Sequence, residues 1–401
     1  MTTVTELYWD PIDEEIDDDP YPVWKRLRDE APLYRNDRYG FWALSRYADV
    51  EAAHRDPATY SSAHGTVLEL MDHDMSAAGQ IIFMDPPAHT TLRALVSRAF
   101  TPRRVGGLED AVRAICAELL DPLVDAGEFD YIQDFAAQVP SRVIARLVGV
   151  PEEEREEQRH NIDAIFHIEP GAGMLNEVSL NAQIALHVYL AGLIERKREQ
   201  PGDDLISLLI GSSIVDEDGV ERQLTDDELA NFTTLLFTAG TETVMRLLGN
   251  AAVLLAEHPD QRADLVAHPD VIPNAIEELL RFEPPSPVQG RYTTRDVELH
   301  GQTVPAGSKV LLVTGSAGRD EREYGPDADR FDVRRHFRQH VSFGYGIHFC
   351  VGANLARVEG RIALEETFKR FPTWQVVPGG TVRQHTSTVR GYSQVRIAPG
   401  S

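Results

Sequence analysis

A glycine-rich stretch that ends in a cysteine and continues into a helix constrains this chain more than any other feature. The ten residues from Phe343 to Gly352 read FGYGIHFCVG, with three glycines and one cysteine, Cys350. Glycines at this density predict a backbone that turns tightly or lies close to another surface. A helical pattern follows over 353–370, and a thiol at the start of a helix lies at the positive end of its macrodipole, which favours the metal-binding thiolate.

Local chemistry alone leaves several roles open for Cys350. Free cysteines are commonly small buried hydrophobes. A zinc site that includes His348 would need about four nitrogen or sulfur ligands, and no second cysteine lies nearby in the sequence. No motif supports a catalytic nucleophile. A buried thiol and a metal ligand therefore stay open as alternatives at this point.

Charge and cysteine content exclude several classes of protein. The chain has 401 residues and a formal net charge of −25, which argues against nucleic acid or an anionic membrane surface as a partner. Its two cysteines are too few for a disulfide framework and fit a reducing compartment. The sequence has no apolar run of about 18 residues to suggest a membrane anchor, and its acidic N-terminus differs from a secretory signal. We expect a soluble, cytoplasmic protein.

Apolar periodicity, turn residues and capping signals predict a chain with many helices. Residues 1–20 are expected to form an extended acidic arm, 32–44 a hairpin and 58–84 an irregular loop with apolar side chains. Residues 314–342 are expected to be coiled, and the C-terminal tail to be rich in strands. Helices are predicted over 23–30, 45–53 with Ser45 as its cap, 105–126, 132–148, 151–167, 174–199, 225–257 and 353–370.

The predicted helix over 225–257 carries polar residues in the middle of an apolar stretch. It starts at a capping box over 225–228, and at about 1.5 Å per residue it would be roughly 45–50 Å long. Residues 239–243 read AGTET, and the acid among them, Glu242, is costly to bury without a partner. An ion pair with Arg246 at position i+4 is one explanation, and a functional role is the other.

Two potential anion donors lie on one face of another predicted helix. His89 and Arg93 follow a pair of prolines that starts this helix, and they are four residues apart. Two donors on one face could bind an anion. From the residues alone, a solvated helix face is the alternative.

The pattern Phe-x-x-Gly-x-x-x-Cys-x-Gly, with His348 inside it, resembles the heme-binding loop of the cytochrome P450 family. Three further motifs occur in the family's order: His-x-x-x-Arg at 89–93, Ala-Gly-x-Glu-Thr at 239–243 and Glu-x-x-Arg at 278–281. The resemblance covers the chain from about residue 89 to residue 390. It implies the cytochrome P450 fold, mainly α with a smaller β-rich portion, as a single domain over 1–401.

The resemblance implies a heme b cofactor and the residues that hold it. Cys350 would be the axial thiolate ligand of the heme iron. Phe343 and Gly344 of the same loop would also contact the cofactor. The side chains that would bind the heme propionates are His89, Arg93, Arg291 and His348.

The resemblance also assigns the predicted helix over 225–257 to the opposite side of the heme. Gly240 would let this helix open beside the iron. Thr243 and Glu242 would deliver the protons needed to cleave the O–O bond. Arg335 would complete a structural network with the Glu-x-x-Arg pair at 278–281.

The activity implied by the resemblance is a monooxygenase reaction, in which one oxygen atom from O2 hydroxylates a lipophilic small molecule. Electrons would come from a separate ferredoxin-type partner and an NAD(P)H reductase, and the chain would be a monomer. Two alternatives are a peroxide-driven heme-thiolate peroxygenase and a non-catalytic heme sensor. The basic residues expected to receive the redox partner are Arg103, Arg104, Arg338 and Arg357.

The apolar character of several segments predicts a lipophilic substrate. The two helices on either side of residues 169–173 resemble the family's lid, which would open to admit it. A plain turn between helices is the alternative. The residues predicted to line the substrate pocket are Val67, Leu68, Leu70, Met71, Leu236, Ala239, Val288 and Val389.

Overall fold

Helices form most of the fold, and short strands form a smaller part, as the sequence predicts. The computed structural model describes residues 6–97, 100–169, 173, 175–215 and 219–400. The helices are α1 (Glu14–Asp18), α2 (Tyr21–Glu30), α3 (Tyr47–Arg55), α4 (Ala88–Ser97), α5 (Pro102–Gly106), α6 (Glu109–Leu120), α7 (Gln138–Val148), α8 (Arg155–Ile165), α9 (Glu177–Glu199), α10 (Leu205–Ile210), α11 (Asp226–Glu257), α12 (Pro259–Ala267), α13 (Ile272–Phe282), α14 (Thr314–Ala317), α15 (Glu321–Tyr324) and α16 (Ala353–Arg370).

The strands fall into one five-stranded sheet, one three-stranded sheet and two hairpins within the described part of the chain. The larger sheet has the order β1-β2-β10-β7-β3, with β2 and β10 parallel and the other pairs antiparallel. The three-stranded sheet has the order β11-β12-β4. The strands are β1 (Leu33–Asn36), β2 (Phe41–Leu44), β3 (Tyr60–Ser61), β4 (Phe129–Asp130), β5 (Ser213–Val215), β6 (Glu221–Gln223), β7 (Gln289–Thr293), β8 (Val297–Leu299), β9 (Gln302–Val304), β10 (Lys309–Leu312), β11 (Trp374–His385) and β12 (Arg390–Pro399).

The long helix α11 organises the largest hydrophobic core. Its N-terminus has the predicted capping box, in which the Thr225 side chain accepts from the Glu228 N–H and the Glu228 carboxylate accepts from the Thr225 N–H. The helix packs against α7, α9, α16 and β12. Close packing needs Gly249, because a Cβ there would lie 2.5 Å from Cδ1 of Ile132. Elements distant in sequence therefore meet on one helix.

The N-terminal segment differs from the extended arm that the sequence suggested. Trp9 is buried and packs edge-on against Phe41, with ring centroids 5.7 Å apart. The Asn36 side chain donates to the Trp9 carbonyl oxygen at 2.9 Å. Residues 14–18 are helical, with the Asp13 carboxylate as the N-cap. Burial of the indole explains the difference, because it ties this acidic segment to the hairpin β1–β2.

Several predicted boundaries were also wrong. Arg46 rather than Ser45 occupies the N-cap position of α3, and no side chain caps that helix. The expected coil over 314–342 contains the short helices α14 and α15. The helix predicted over 105–126 is divided between α5 and α6, and a π-helical turn (Tyr131–Ala136) precedes α7. In the expected turn of the lid, residues 170–172 and 174 lie outside the described residues.

One described helix, α9, is long and apolar enough to cross a membrane by length and composition alone. Its buried side chains include Leu186 and Leu190. Within its apolar window, 33% of the residues are buried, where the helix packs against α8 and α11. A single helix of this kind is weak evidence for a membrane span.

Candidate active site

One apolar cavity lies between α11 and the cysteine loop, and most of the predicted site residues line it. Its volume is about 330 Å³, within the range of roughly 300–1,000 Å³ typical of small-molecule pockets. The predicted residues on its wall are His89, Arg93, Leu236, Ala239, Gly240, Thr243, Arg291, Phe343, Gly344, His348 and Cys350.

The cysteine loop has the tight backbone that its glycines predict. Gly344 and Gly346 have φ angles of +67° and +66°, a region that favours glycine. A Cβ on Gly346 would lie 2.7 Å from the His54 carbonyl oxygen, so α3 can approach the loop only because glycine is present. The N–H of Cys350 donates to the Phe343 carbonyl oxygen at 2.8 Å and closes the loop.

Cys350 is an exposed residue on the cavity wall, three residues before α16 begins. Surrounding protein raises the pKa of this thiol by desolvation, while the N–H groups of Gly352 and Ala353 and the charges of Arg93 and Arg357 act in the opposite direction. Among the described residues, no cluster of three or more His, Cys, Asp or Glu side chains could hold a metal ion. The zinc alternative therefore lacks the further ligands it needs.

A group of cationic and donor side chains lines the same cavity. Arg291 is buried and donates to the Gly290 carbonyl oxygen at 2.7 Å. Burial lowers its pKa to about 10, against a smaller opposing effect of Asp85. Arg93 donates to the Phe349 carbonyl oxygen. No ion pair with a described carboxylate compensates either guanidinium.

Two histidines complete this group. The rings of His89 and His348 lie with their centroids 4.3 Å apart. Burial, with the charge of Arg93, lowers the pKa of His89 to about 4, and burial, with the charges of Arg291 and other neighbours, lowers that of His348 to about 2. His89 has no hydrogen-bond partner on either ring nitrogen in the described part of the chain. Buried donors and uncompensated cations beside the Cys350 thiol fit a cofactor with an anionic edge, as heme has.

Helix α11 forms the opposite wall of the cavity. The Thr243 hydroxyl donates to the Ala239 carbonyl oxygen at 2.9 Å, and both residues line the cavity. Helical structure continues through Gly240, and the opening of the helix beside the iron stays a prediction. A Cβ at Gly240 would lie 3.3 Å from Ile144 of α7. The glycine therefore allows close packing of α7 against α11.

Glu242 lies in an ion pair and does not line the cavity. Its carboxylate accepts from Nε of Arg246 at 2.8 Å and from a second guanidinium nitrogen. Arg246 also donates to the Tyr392 carbonyl oxygen of β12. Burial raises the pKa of Glu242, although the charge of Arg246 acts in the opposite direction. The ion pair considered from the sequence is thus present, and the proton-relay role of Glu242 stays a prediction.

The structure places most of the predicted substrate-pocket residues elsewhere. Leu68, Met71 and Val288 belong to a separate hydrophobic cluster that includes Trp9 and Trp24. Val67 and Leu70 are half-buried and Val389 is buried, and none of the three lines the cavity. The 3-10 turn over Leu68–Leu70 leaves Leu68 and the residue after the turn, Met71, packed in the cluster with Trp9. Only Leu236 and Ala239 of this prediction lie on the cavity wall.

Other residues, which sequence reasoning missed, supply the apolar wall. Leu235, Ala239 and Thr243 are spaced four residues apart on α11. This helical spacing could have identified Leu235 as a cavity residue. Ile81 and Ile82 come from the irregular loop, where no periodicity separates them from core residues. The missed apolar residues are Ile81, Ile82, Val96, Phe100, Ile144, Phe232, Leu235, Val244, Leu247, Leu280, Pro285, Val351, Leu355 and Ala356.

The Glu-x-x-Arg pair is buried as part of a network. Nε of Arg281 donates to Glu278 at 2.6 Å, and Nη2 does so at 2.7 Å. Arg335 lies 3.4 Å from the same carboxylate. The pairing expected with Arg335 is therefore present, outside the cavity.

The basic residues expected to receive a redox partner have different environments. Arg103, Arg104 and Arg338 are exposed. Arg357 forms a bidentate ion pair with Glu277, at 2.7 and 2.9 Å. The charge of Arg357 is thus compensated within the molecule.

Known proteins match this chain along nearly its whole length. The sequence profile of cytochrome P450 matches residues 37–268 and 263–395. The putative cytochrome P450 123 of Mycobacterium tuberculosis is 39% identical over 396 residues, covering 98% of this chain and 97% of that protein. The vitamin D(3) 25-hydroxylase of Pseudonocardia autotrophica is 39% identical over 389 residues, covering 95% and 94%.

A solved structure shares the architecture described above. CYP109E1 from Bacillus megaterium, in complex with corticosterone, has a TM-score of 0.85 and 31% identity, covering 97% of this chain and 100% of that one. The matching sequence profile, the similar proteins and the shared architecture agree with the cysteine loop and with the cavity between this loop and α11. This chain therefore belongs to the cytochrome P450 family of heme-thiolate monooxygenases, which bind heme b.

Proposed function

We propose that this monooxygenase hydroxylates a lipophilic small molecule with one oxygen atom from O2. One observation carries the proposal: the Cys350 thiol, the Thr243 hydroxyl, two guanidinium groups and two imidazoles line a single apolar cavity. The thiol of Cys350 can hold a cofactor from one side of the cavity. The hydroxyl of Thr243 lies on the opposite wall, where the substrate would react.

Cys350 is the residue we assign to the heme iron as its axial ligand. Bound heme supplies the oxidative chemistry, with the thiolate favouring O–O cleavage. The N–H groups of Gly352 and Ala353 would donate to the sulfur and moderate how strongly the thiolate donates electrons. Phe343 and Gly344 would lie against the cofactor from the same loop.

The cationic side chains on the cavity wall would bind the two propionates of the heme. Arg291 and Arg93 would supply positive charge, and His89 and His348 would supply ring N–H donors. Their lack of carboxylate partners among the described residues supports this assignment, because two propionates would compensate the buried guanidinium of Arg291 and the half-buried one of Arg93.

Proton delivery is the role we assign to Thr243 and Glu242. The Thr243 hydroxyl lines the cavity and can donate a proton there when it releases the Ala239 carbonyl oxygen. Glu242 would take part only after its ion pair with Arg246 opens. Burial raises the pKa of Glu242, which helps the carboxyl group to carry a proton to the threonine.

The substrate we propose is an apolar molecule. The side chains of α11 that line the cavity include Phe232, Leu235 and Leu236, and Ile81 and Ile82 face them from the irregular loop. Such a wall offers area for hydrophobic burial and few groups for polar recognition. The names of a vitamin D(3) hydroxylase and of a corticosterone complex among similar proteins agree with a lipophilic substrate class.

We propose that a ferredoxin-type protein, reduced by an NAD(P)H reductase, delivers the electrons. A net charge of −25 would repel an acidic partner overall, so a local basic surface is needed. Arg103 and Arg104 are exposed on α5, which packs against α16, the helix after the cysteine. If charge reversal at both residues leaves the electron-transfer rate and its salt dependence unchanged, this docking site is wrong.

Replacement of Thr243 by alanine tests the monooxygenase proposal. The substrate is first chosen as a ligand that shifts the Soret band from low to high spin. We expect Thr243→Ala to keep consuming NAD(P)H while the fraction of electrons recovered in product falls several-fold and that in hydrogen peroxide rises. Thr238→Ala is the matched control, because Thr238 also donates to its i−4 carbonyl oxygen at 2.9 Å and does not line the cavity.

The same assay separates the two alternatives. A peroxygenase would form product from peroxide alone and would not depend on the reductase, and a heme sensor would form no product with either variant. Equal coupling in wild type and Thr243→Ala would contradict the role of the hydroxyl.

We further propose that the protein acts as a single-domain, cytoplasmic monomer.

A further inference from the structure

His54 is a buried histidine on the cavity wall that no motif identifies. It lies near the end of α3 and its side chain is 5% exposed. Neither ring nitrogen has a hydrogen-bond partner in the described part of the chain. An imidazole buried in this way pays the desolvation cost of two polar atoms without compensation, so its position calls for a ligand.

Contacts of His54 place it against the cysteine loop. Its Cε1 and Nδ1 atoms lie 3.6 and 3.7 Å from the position that a Cβ on Gly344 would occupy. Its carbonyl oxygen approaches Gly346 closely, as described above. Both glycines have positive φ, and the absence of a Cβ on Gly346 lets the end of α3 reach the loop. The imidazole therefore lines the cavity next to the cysteine loop.

The charged neighbours of His54 identify the kind of ligand. Burial and the nearby guanidinium of Arg291 lower the pKa of His54 to about 3. His54 in turn is among the groups that depress the pKa of His348. No described carboxylate pairs with any of the three. A neutral imidazole beside a buried guanidinium, with its N–H unused, suits a shared carboxylate acceptor.

We propose that His54 is an additional heme-anchoring residue, whose imidazole donates one N–H to the propionate that Arg291 and His348 hold. The inference rests on the proposed heme site. Its chemistry is a hydrogen bond to a carboxylate oxygen. His54 is therefore a positioning residue for the cofactor, and it takes no part in the oxidation itself.

The test compares heme dissociation rates, measured by transfer of heme from the holoprotein to excess apomyoglobin. His54→Leu removes the donor, and His54→Asn keeps one. We expect heme to leave the leucine variant about tenfold faster or more, since a hydrogen bond to a charged acceptor is lost, and to leave the asparagine variant within about threefold of wild type. His268→Leu, at the residue that follows α12 and outside the cavity, is the control and should match wild type.

Reconstitution with heme dimethyl ester identifies the acceptor. The ester carbonyl can still accept a hydrogen bond but has no charge, so the difference between wild type and His54→Leu should become much smaller. The inference would be overturned if heme left the leucine variant at the wild-type rate, or if it left the leucine and asparagine variants equally fast. It would also be overturned if the difference between wild type and the leucine variant were as large with the ester as with heme. Far-UV circular dichroism checks that each variant is folded, and His54→Phe replaces the leucine variant if that one is not.

The outcome is distinguishable from failure of the proposed function. If wild type does not bind heme through a thiolate, the reduced protein with CO lacks the red-shifted Soret band, and the heme site itself is wrong. If that band is present and the His54 variants behave like wild type, only the role of His54 is wrong.

Discussion

Glu278 is a fully buried carboxylate that compensates two arginines. The structure therefore allows the loss of unfolding free energy on its replacement by alanine to be estimated. Both Glu278 and Arg281 have side chains that are 0% exposed. The carboxylate accepts two hydrogen bonds from Arg281 and a third from the Asp332 N–H at 2.9 Å, and it lies near Arg335. The variant Glu278→Ala removes all of these interactions at once.

The expected magnitude follows from the charge that is left behind. Arg281 would keep its bonds to the carbonyl oxygens of Gly318 at 2.6 Å and Ala328 at 2.8 Å, but its charge would be uncompensated. Removal of one partner of a buried pair costs about 3–5 kcal/mol. With an unfolding entropy of about 2.1 cal/mol/K per residue and 401 residues, the melting temperature should fall by about 4–6 °C.

Urea unfolding of the holoprotein, followed by far-UV circular dichroism at equal heme occupancy, measures this loss. The exposed pair of Arg26 and Glu30 provides the control, and Glu30→Ala should leave the midpoint unchanged. Glu278→Gln keeps an acceptor and should fall between wild type and alanine. A loss below about 1 kcal/mol for Glu278→Ala, the size typical of exposed pairs, would refute the reasoning.

Two further variants test other parts of the structure. Burial raises the pKa of Glu359 to about 8. The folded state therefore keeps a proton that the unfolded state loses above about pH 4.3. As pH rises towards 8, the unfolding free energy should fall by up to about 1.4 kcal/mol per pH unit. Glu359→Gln should flatten this slope in urea titrations between pH 5 and 8, and an equal slope in both proteins would contradict the shift. Gly391→Ala would place a Cβ 2.7 Å from Cδ of Arg246, so we expect a loss of about 1–3 kcal/mol; an unchanged thermal midpoint would contradict this packing.

Sequence reasoning succeeded where a motif specifies a local geometry. The capping box at Thr225 and Glu228 forms as predicted, because both partners lie within one turn. His89 and Arg93 lie on the same face because a spacing of four fixes their direction on a helix. The cysteine loop turns at Gly344 and Gly346, where only glycine adopts the required φ without strain.

The substrate pocket shows where the sequence was insufficient. Leu68, Met71 and Val288 are apolar and buried as expected, but they pack in a core with Trp9 and Trp24. Apolar character predicts burial without distinguishing a packed core from a cavity wall. That distinction depends on the direction of an irregular loop, and such a loop has no periodicity from which to read it.

Two other features depend on contacts between distant segments. Glu242 pairs with Arg246 at i+4, which its spacing allowed, but the bond from Arg246 to the Tyr392 carbonyl oxygen requires β12 to pack on α11. A single histidine such as His54 belongs to no sequence motif that would place it on the cavity wall. Its placement beside Arg291 follows only from the approach of α3 to the cysteine loop.

The most direct test of the heme-thiolate assignment is the absorption spectrum of the reduced protein with CO. We expect the red-shifted Soret band of thiolate ligation in wild type and its loss in Cys350→Ser. Cys116→Ser is the control, because Cys116 is buried, with its pKa raised to about 12 by burial, and does not line the cavity. A red-shifted band that persists in Cys350→Ser, or one that is absent from wild type, would contradict the assignment of Cys350 as the axial ligand.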